Sequence, residues 1–212
     1  NRSTSGFGLR MAMRLGNTPA IGGQSKYAIK SGLGVGIFKG NPASIQLAGD
    51  TGYIQDSAFS TTDDGNDGGI DFTSANDALL VGVHNGVFFI DGTTSKPTFA
   101  NSVAASATFG TNPNTNSTDG VAFVNDDPDQ EYVVKADAAV GQAIFGLCGN
   151  INDFAAGDAK DGASTATFDS GTQAETTMFR IVRSAEDPDN EDLTAAGANI
   201  IVVINAAANT YR

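Results

Sequence analysis

The sequence predicts an all-β fold, a sandwich or barrel-like body with long loops and little helix, and three observations carry that prediction. Its apolar runs are short and recur between clusters of Gly, Asn, Asp, Ser and Thr. Several of the runs alternate in polarity, the pattern of a half-buried strand. Only one stretch, residues 136–154, tolerates a helix. Strands recurring with loops and almost no helix point to a sandwich or barrel.

Taken in order, residues 25–29 alternate and predict a strand, and residues 34–38 and 42–47 predict two short strands around the turn Lys39-Gly40-Asn41-Pro42. Residues 57–76 carry Asp63, Asp64, Asp67 and Asp71 with too little apolar material to pack, and so predict a surface loop. Residues 79–90 are the most hydrophobic part of the body. Their internal Asn85-Gly86 predicts a hairpin, or a continuous strand with a bulge at Gly86. A turn at 91–94, a brief extension at 96–100 and a polar loop at 101–120 follow.

Residues 121–124 and 131–135 flank the acidic turn Asn125-Asp126-Asp127-Pro128-Asp129 and read as a second hairpin. In residues 136–154 the glycines at 141, 146 and 149 limit any helix to one or two short turns. Residues 165–169, 178–183 and 199–205 complete the strands. The last contains the unbroken run Ile200 to Ile204, which suits a strand covered on both faces.

Charge divides the chain in a second way. Residues 1–49 hold Arg2, Arg10, Arg14, Lys26, Lys30 and Lys39 and no carboxylate, while all 24 acidic residues lie from Asp50 onward. We read residues 1–24 as an extended basic N-terminal arm and residues 25–212 as a β-rich body, acidic from residue 50. The arm's large apolar residues are scattered among glycines, too few to offset the entropy of ordering it alone. Such a segment needs something to lie on: its own body, a sister subunit or another protein. Arg and aromatic side chains are the usual anchors of such contacts. Arg2, Phe7, Leu9, Arg10 and Arg14 are therefore the candidate docking residues.

Composition excludes several classes of function. A net charge of −12 argues against nucleic acid as the main partner, because phosphate binding needs a continuous basic surface. No apolar run approaches the roughly twenty residues that span a bilayer, and no hydrophobic signal region is seen, so a soluble chain or part of a soluble assembly is expected. The single histidine, His84, sits within the core strand region with no nucleophile motif near it, and reads as structural. The single cysteine, Cys148, lies in an apolar setting without a basic neighbour and reads as a buried, unreactive thiol. The acidic runs 63–71, 126–129 and 187–192 lack the ligand spacing of a twelve-residue calcium loop, and Gly32, Gly34 and Gly36 lack the helix of a dinucleotide site. No enzyme activity, metal or cofactor is expected.

Three N-terminal stretches carry a likeness: Ser5-Gly6-Phe7-Gly8-Leu9-Arg10, Tyr27-Ala28-Ile29-Lys30-Ser31-Gly32 and Ile37-Phe38-Lys39-Gly40-Asn41-Pro42. With residues 80–89, Lys96-Pro97-Thr98-Phe99, residues 121–128 before the strand at 131–135, and Phe179-Arg180-Ile181-Val182 leading to 200–204, the order and spacing resemble a family of small virion structural proteins of tailed bacteriophages. The resemblance covers most of the chain and rests on turn and strand patterns. It implies a head decoration, or cement, protein on the outer surface of the capsid, bound to the major capsid protein and commonly a homotrimer. The basic arm is complementary to an acidic lattice, and weak contacts repeated over a shell add through multivalency. A head-fibre or receptor-binding, adhesin-like surface component is the alternative, disfavoured by the absence of tryptophan and the presence of only four tyrosines.

Overall fold

Among the described residues the longest strand runs without a break through Asn85-Gly86, pairing within one of the two main sheets and packing against the core of the other. The structure is a computed structural model that describes residues 6–20, 22–46, 51–56, 80–152, 157–173, 177–188, 192–206 and 211. The expected surface loop at 57–76 lies outside these. In chain order the strands are β1 Arg10–Arg14, β2 Thr18–Pro19, β3 Ser25–Ile29, β4 Ile37–Phe38, β5 Pro42–Ile45, β6 Ile54–Asp56, β7 Leu80–Ile90, β8 Pro97–Ala100 and β9 Ser102–Val103. They continue as β10 Gly120–Asn125, β11 Gln130–Lys135, β12 Cys148–Asn152, β13 Gly157–Asp158, β14 Ala163–Ser164, β15 Thr167–Gln173, β16 Phe179–Ser184 and β17 Asn199–Ile204. Among the described residues there is no α-helix, only a 3-10 turn at Gln142–Ile144. The chain is all-β and sandwich-like, as the sequence predicts.

One sheet has seven strands in the order β15-β12-β16-β17-β11-β1-β2, and the other has β3-β10-β7-β5-β6 with β8 also paired to β7. Two short pairs, β13-β14 and β4-β9, stand apart from them. The strand β17 is buried at every position, because β11 and β16 pair with both its edges and side chains cover both its faces. Its run of β-branched residues suits that double burial. One apolar cluster gathers beneath the larger sheet around Tyr132, Phe168, Phe179, Ile200 and Val202, and Leu80 and Val83 of β7 reach into it. A second cluster, around Ile29, Val87, Val124 and Phe109, fills the smaller sheet's own inner face.

Of the two readings of Asn85-Gly86, the continuous strand is the one realised. On β10, Phe123 faces Gly86 and Val124 faces His84, so Asn85 is the extra residue of a β-bulge. The turn after β7 is held by Asp91, whose Oδ1 accepts from the amides of Thr93 and Thr94 and from the Thr94 hydroxyl. Those donors, the Thr94 amide foremost, keep the Asp91 carboxyl below its ordinary range.

The second expected hairpin is corrected. Residues 120–125 and 130–135 are strands, but β10 lies in the smaller sheet and β11 in the larger. The physical reason is that both edges of each are already taken: β3 and β7 flank β10, while β1 and β17 flank β11. The acidic turn therefore carries the chain from one sheet to the other. The buried hydroxyl of Tyr132 donates back to the Asn125 carbonyl at 3.2 Å across that passage.

Candidate functional site

The N-terminal segment is the origin of the candidate site, and of the three supports open to it, its own body, a sister subunit or another protein, its described part lies on its own body. Residues 6–9 lie in a narrow passage beside β14 and β15. A side chain on Gly6 would stand 2.1 Å from the Thr165 carbonyl oxygen, and one on Gly8 would stand 2.6 Å from Ser164 Cβ. Glycine at both positions allows this close backbone approach. The Gly8 amide donates to the Ala166 carbonyl at 3.1 Å and the Leu9 amide to that of Gly40 at 2.8 Å. Then β1 pairs with β11 and β2 turns back to pair with β1. Over residues 6–20 the arm is the edge of the larger sheet.

The candidate docking residues separate accordingly. Arg2 lies outside the described residues. Leu9 is 3% exposed within the core beneath the larger sheet, which removes it as an anchor for a partner. Arg14 is held by the body's own acids. Its Nε lies 2.6 Å from Asp127 Oδ2 and its second guanidinium nitrogen 3.7 Å from Asp129 Oδ2, so it ties β1 to the acidic passage between the sheets. Phe7 and Arg10 remain together. The Arg10 guanidinium lies 4.2 Å from the centre of the Phe7 ring, and Lys135 Nζ lies 5.6 Å from it, a cation–π arrangement.

Sequence reasoning missed the outward face of this segment. Met11, Met13 and Leu15 are 40%, 45% and 38% exposed at alternate positions. Met11 and Met13 belong to β1, whose register against β11 shifts between Met11 and Arg14, and Leu15 opens the turn that follows; Arg10 beside them is exposed as well. The alternation in Arg-Met-Ala-Met-Arg-Leu was legible, but reading residues 1–24 as an extended arm chosen for its Arg and aromatic anchors left it unused. Methionine adapts its shape to varied partners.

A second exposed feature lies on the smaller sheet. Phe99 of β8 is 74% exposed and sits opposite Phe88 of β7, with ring centres 4.5 Å apart; Phe123 of β10 follows at 6.3 Å. Counting only tryptophan and tyrosine overlooked this row of phenylalanines.

Between the N-terminal segment and β7 lies a cavity of about 450 Å³ whose wall includes Phe7, Arg10, Lys39 and His84. His84 is 1% exposed, with Nε2 3.3 Å from the Gln55 carbonyl and Nδ1 without a partner. Burial lowers its pKa to about 4, against a smaller upward pull from the Gln55 carbonyl, so it is neutral at pH 7. Cys148 is buried and free. No group of metal-ligating side chains occurs among the described residues.

No family model, curated protein or solved structure matches this chain.

Proposed function

We propose that the chain is a non-enzymatic structural component of a phage coat, a decoration or cement protein bound to the outer surface of the major capsid protein and acting there as a homotrimer. The observation that carries this reading is the exposure of Met11 and Met13 on β1 and of Leu15 in the turn after it, beside the exposed Arg10. Large apolar side chains standing together in water beside a cation are suited to contact with another protein. The segment that bears them has no carboxylate, whereas the remainder of the chain is strongly acidic. It therefore presents a surface that an acidic shell would attract. The likeness to phage virion proteins supports the same reading.

The test is co-sedimentation with undecorated capsids. Wild-type protein should pellet with the particles, and the variant M11S/M13S/L15S, whose changes lie on exposed positions, should remain in the supernatant while keeping the wild-type melting temperature. Equal pelleting of the two would overturn the proposal. A receptor- or glycan-binding appendage is the second reading, favoured by the exposed Phe99 in its row of rings, since aromatic faces stack on sugars. Glycan-array binding that is lost in Phe99→Ser, with no binding to capsids, would select it.

A further inference from the structure

We propose that Lys135 and Asn199, buried side chains placed directly opposite each other on β11 and β17, become joined by an isopeptide bond between Nζ and Cγ, with the Asp187 carboxylate carrying the proton.

The pairing follows from the ladder. Lys135 faces Asn199 in the antiparallel register of β11 and β17. Tyr132 and Val134 of β11, with Ile200 and Val202 of β17, belong to the core beneath the larger sheet. Strand alternation therefore turns Lys135 and Asn199 together to the other face. The Ala136 amide donates to the Ala198 carbonyl at 2.8 Å, whereas the Asn199 carbonyl turns away from β11 and accepts from the Ala185 amide at 3.0 Å. Lys135 and Asn199 are thus a pair that exchanges no ladder bonds, the kind whose side chains stand closest.

Burial then confines what these groups can do. Lys135 is 7% exposed and Asn199 is 6% exposed, although lysine ordinarily carries its ammonium out into water. The Phe7 ring stands against it, with its centre 5.6 Å from Nζ. The Asn199 carboxamide is held at one end only. Its Nδ2 donates to Asp187 Oδ2 at 2.7 Å, while its Oδ1 is buried and has no hydrogen-bond partner. An orphaned buried acceptor is costly, and the lysine directly across the ladder is a donor that relieves it. A hydrogen bond from Nζ to Oδ1 brings the amine beside Cγ, the carbon it attacks.

The chemistry balances without a co-reactant. The Lys135 ammonium gives one proton to Asp187, and the lone pair this frees on Nζ adds to Cγ. Asp187 hands the proton on to Nδ2, the atom it already touches. The Cγ–Nδ2 bond breaks, and a second proton from Nζ leaves with the ammonia as ammonium. The product is a neutral secondary amide, and no electrons are gained or lost. It ties β11 to β17 covalently in the middle of the larger sheet. This inference goes beyond the coat function and does not depend on it.

The test is the intact mass of the purified chain, followed by fragmentation of a proteolytic digest. The mass should fall short of the sequence mass by one ammonia, and the digest should contain a branched peptide joining Lys135 to Asn199. Lys135→Arg keeps the charge and should restore the full mass, and Asp187→Asn should do the same. A wild-type chain of full mass would overturn the proposal, and that reading needs no variant to fold. So would an ammonia still missing in Lys135→Arg, or one whose loss maps to a succinimide at Asn85-Gly86. Complete loss of ammonia in Asp187→Asn would overturn the proton transfer assigned to Asp187.

Discussion

Arg183 grips Glu131 with both ends of its guanidinium, at 2.8 Å and 2.7 Å, across the ladder of the seven-stranded sheet. The Glu131 side chain is 1% exposed and that of Arg183 is 35% exposed, so the carboxylate is buried and the cation is its link to water. Removing the cation leaves the carboxylate without compensation. We expect Arg183→Ala to cost about 3 kcal/mol, read as a lower urea midpoint at constant slope. Pairing Arg183→Met with Glu131→Leu should recover most of that loss, because replacing both charges removes the orphan. A double variant less stable than Arg183→Ala alone would show that the pair stabilises beyond compensation.

The N-terminal segment should behave as part of the fold. Leu9 is packed among Tyr132, Val134 and Val83, and Leu9→Ala is expected to cost about 3 kcal/mol. Deleting residues 1–23 removes Leu9 and the strand that covers one edge of β11. On composition alone that deletion leaves a folded body. On the structure it exposes core side chains and the backbone groups of Tyr132 and Val133. We expect the truncated chain to lose cooperative unfolding by circular dichroism. A sharp, wild-type transition would restore the picture of a detachable arm.

Strand existence was legible in this sequence to a degree that strand pairing was not. The run Ile200 to Ile204 announces a doubly covered strand, and β17 is one. Residues 121–124 and 131–135 announce two strands equally well, but nothing local says that β3, β7, β1 and β17 occupy their edges. The same limit hid the site. Phe7, Arg10, Lys39 and His84 are brought together only because β1 joins β11 and the Leu9 amide reaches Gly40. Phe7 and Arg10 could be chosen as polar and aromatic features of a basic stretch. His84 had no sequence signal beyond being the only histidine.

Stability should fall as the pH drops through the weakly acidic range, with His84 as an identifiable contributor. Its folded-state pKa of about 4 lies below the ordinary 6.5, chiefly because burial disfavours the cation. Between those values the unfolded chain binds the proton and the folded chain does not. The contribution is therefore complete above about pH 6.5 and is lost as pH falls toward 4, reaching roughly 3 kcal/mol for a shift of this size. His84→Gln should flatten the slope of unfolding free energy against pH in that window and leave the slope below pH 4 unchanged. An unaltered slope would show that His84 titrates normally in the folded protein.

The central claim, that this chain clads a capsid through its N-terminal edge, is tested most directly by image reconstruction of purified particles with symmetry applied. The account predicts copies ordered over the outer surface of the shell, three around each local threefold axis, with Met11, Met13 and Leu15 of each copy against the major capsid protein. A few copies confined to one vertex or to the tail, or copies over the shell with that edge facing solvent, would contradict it.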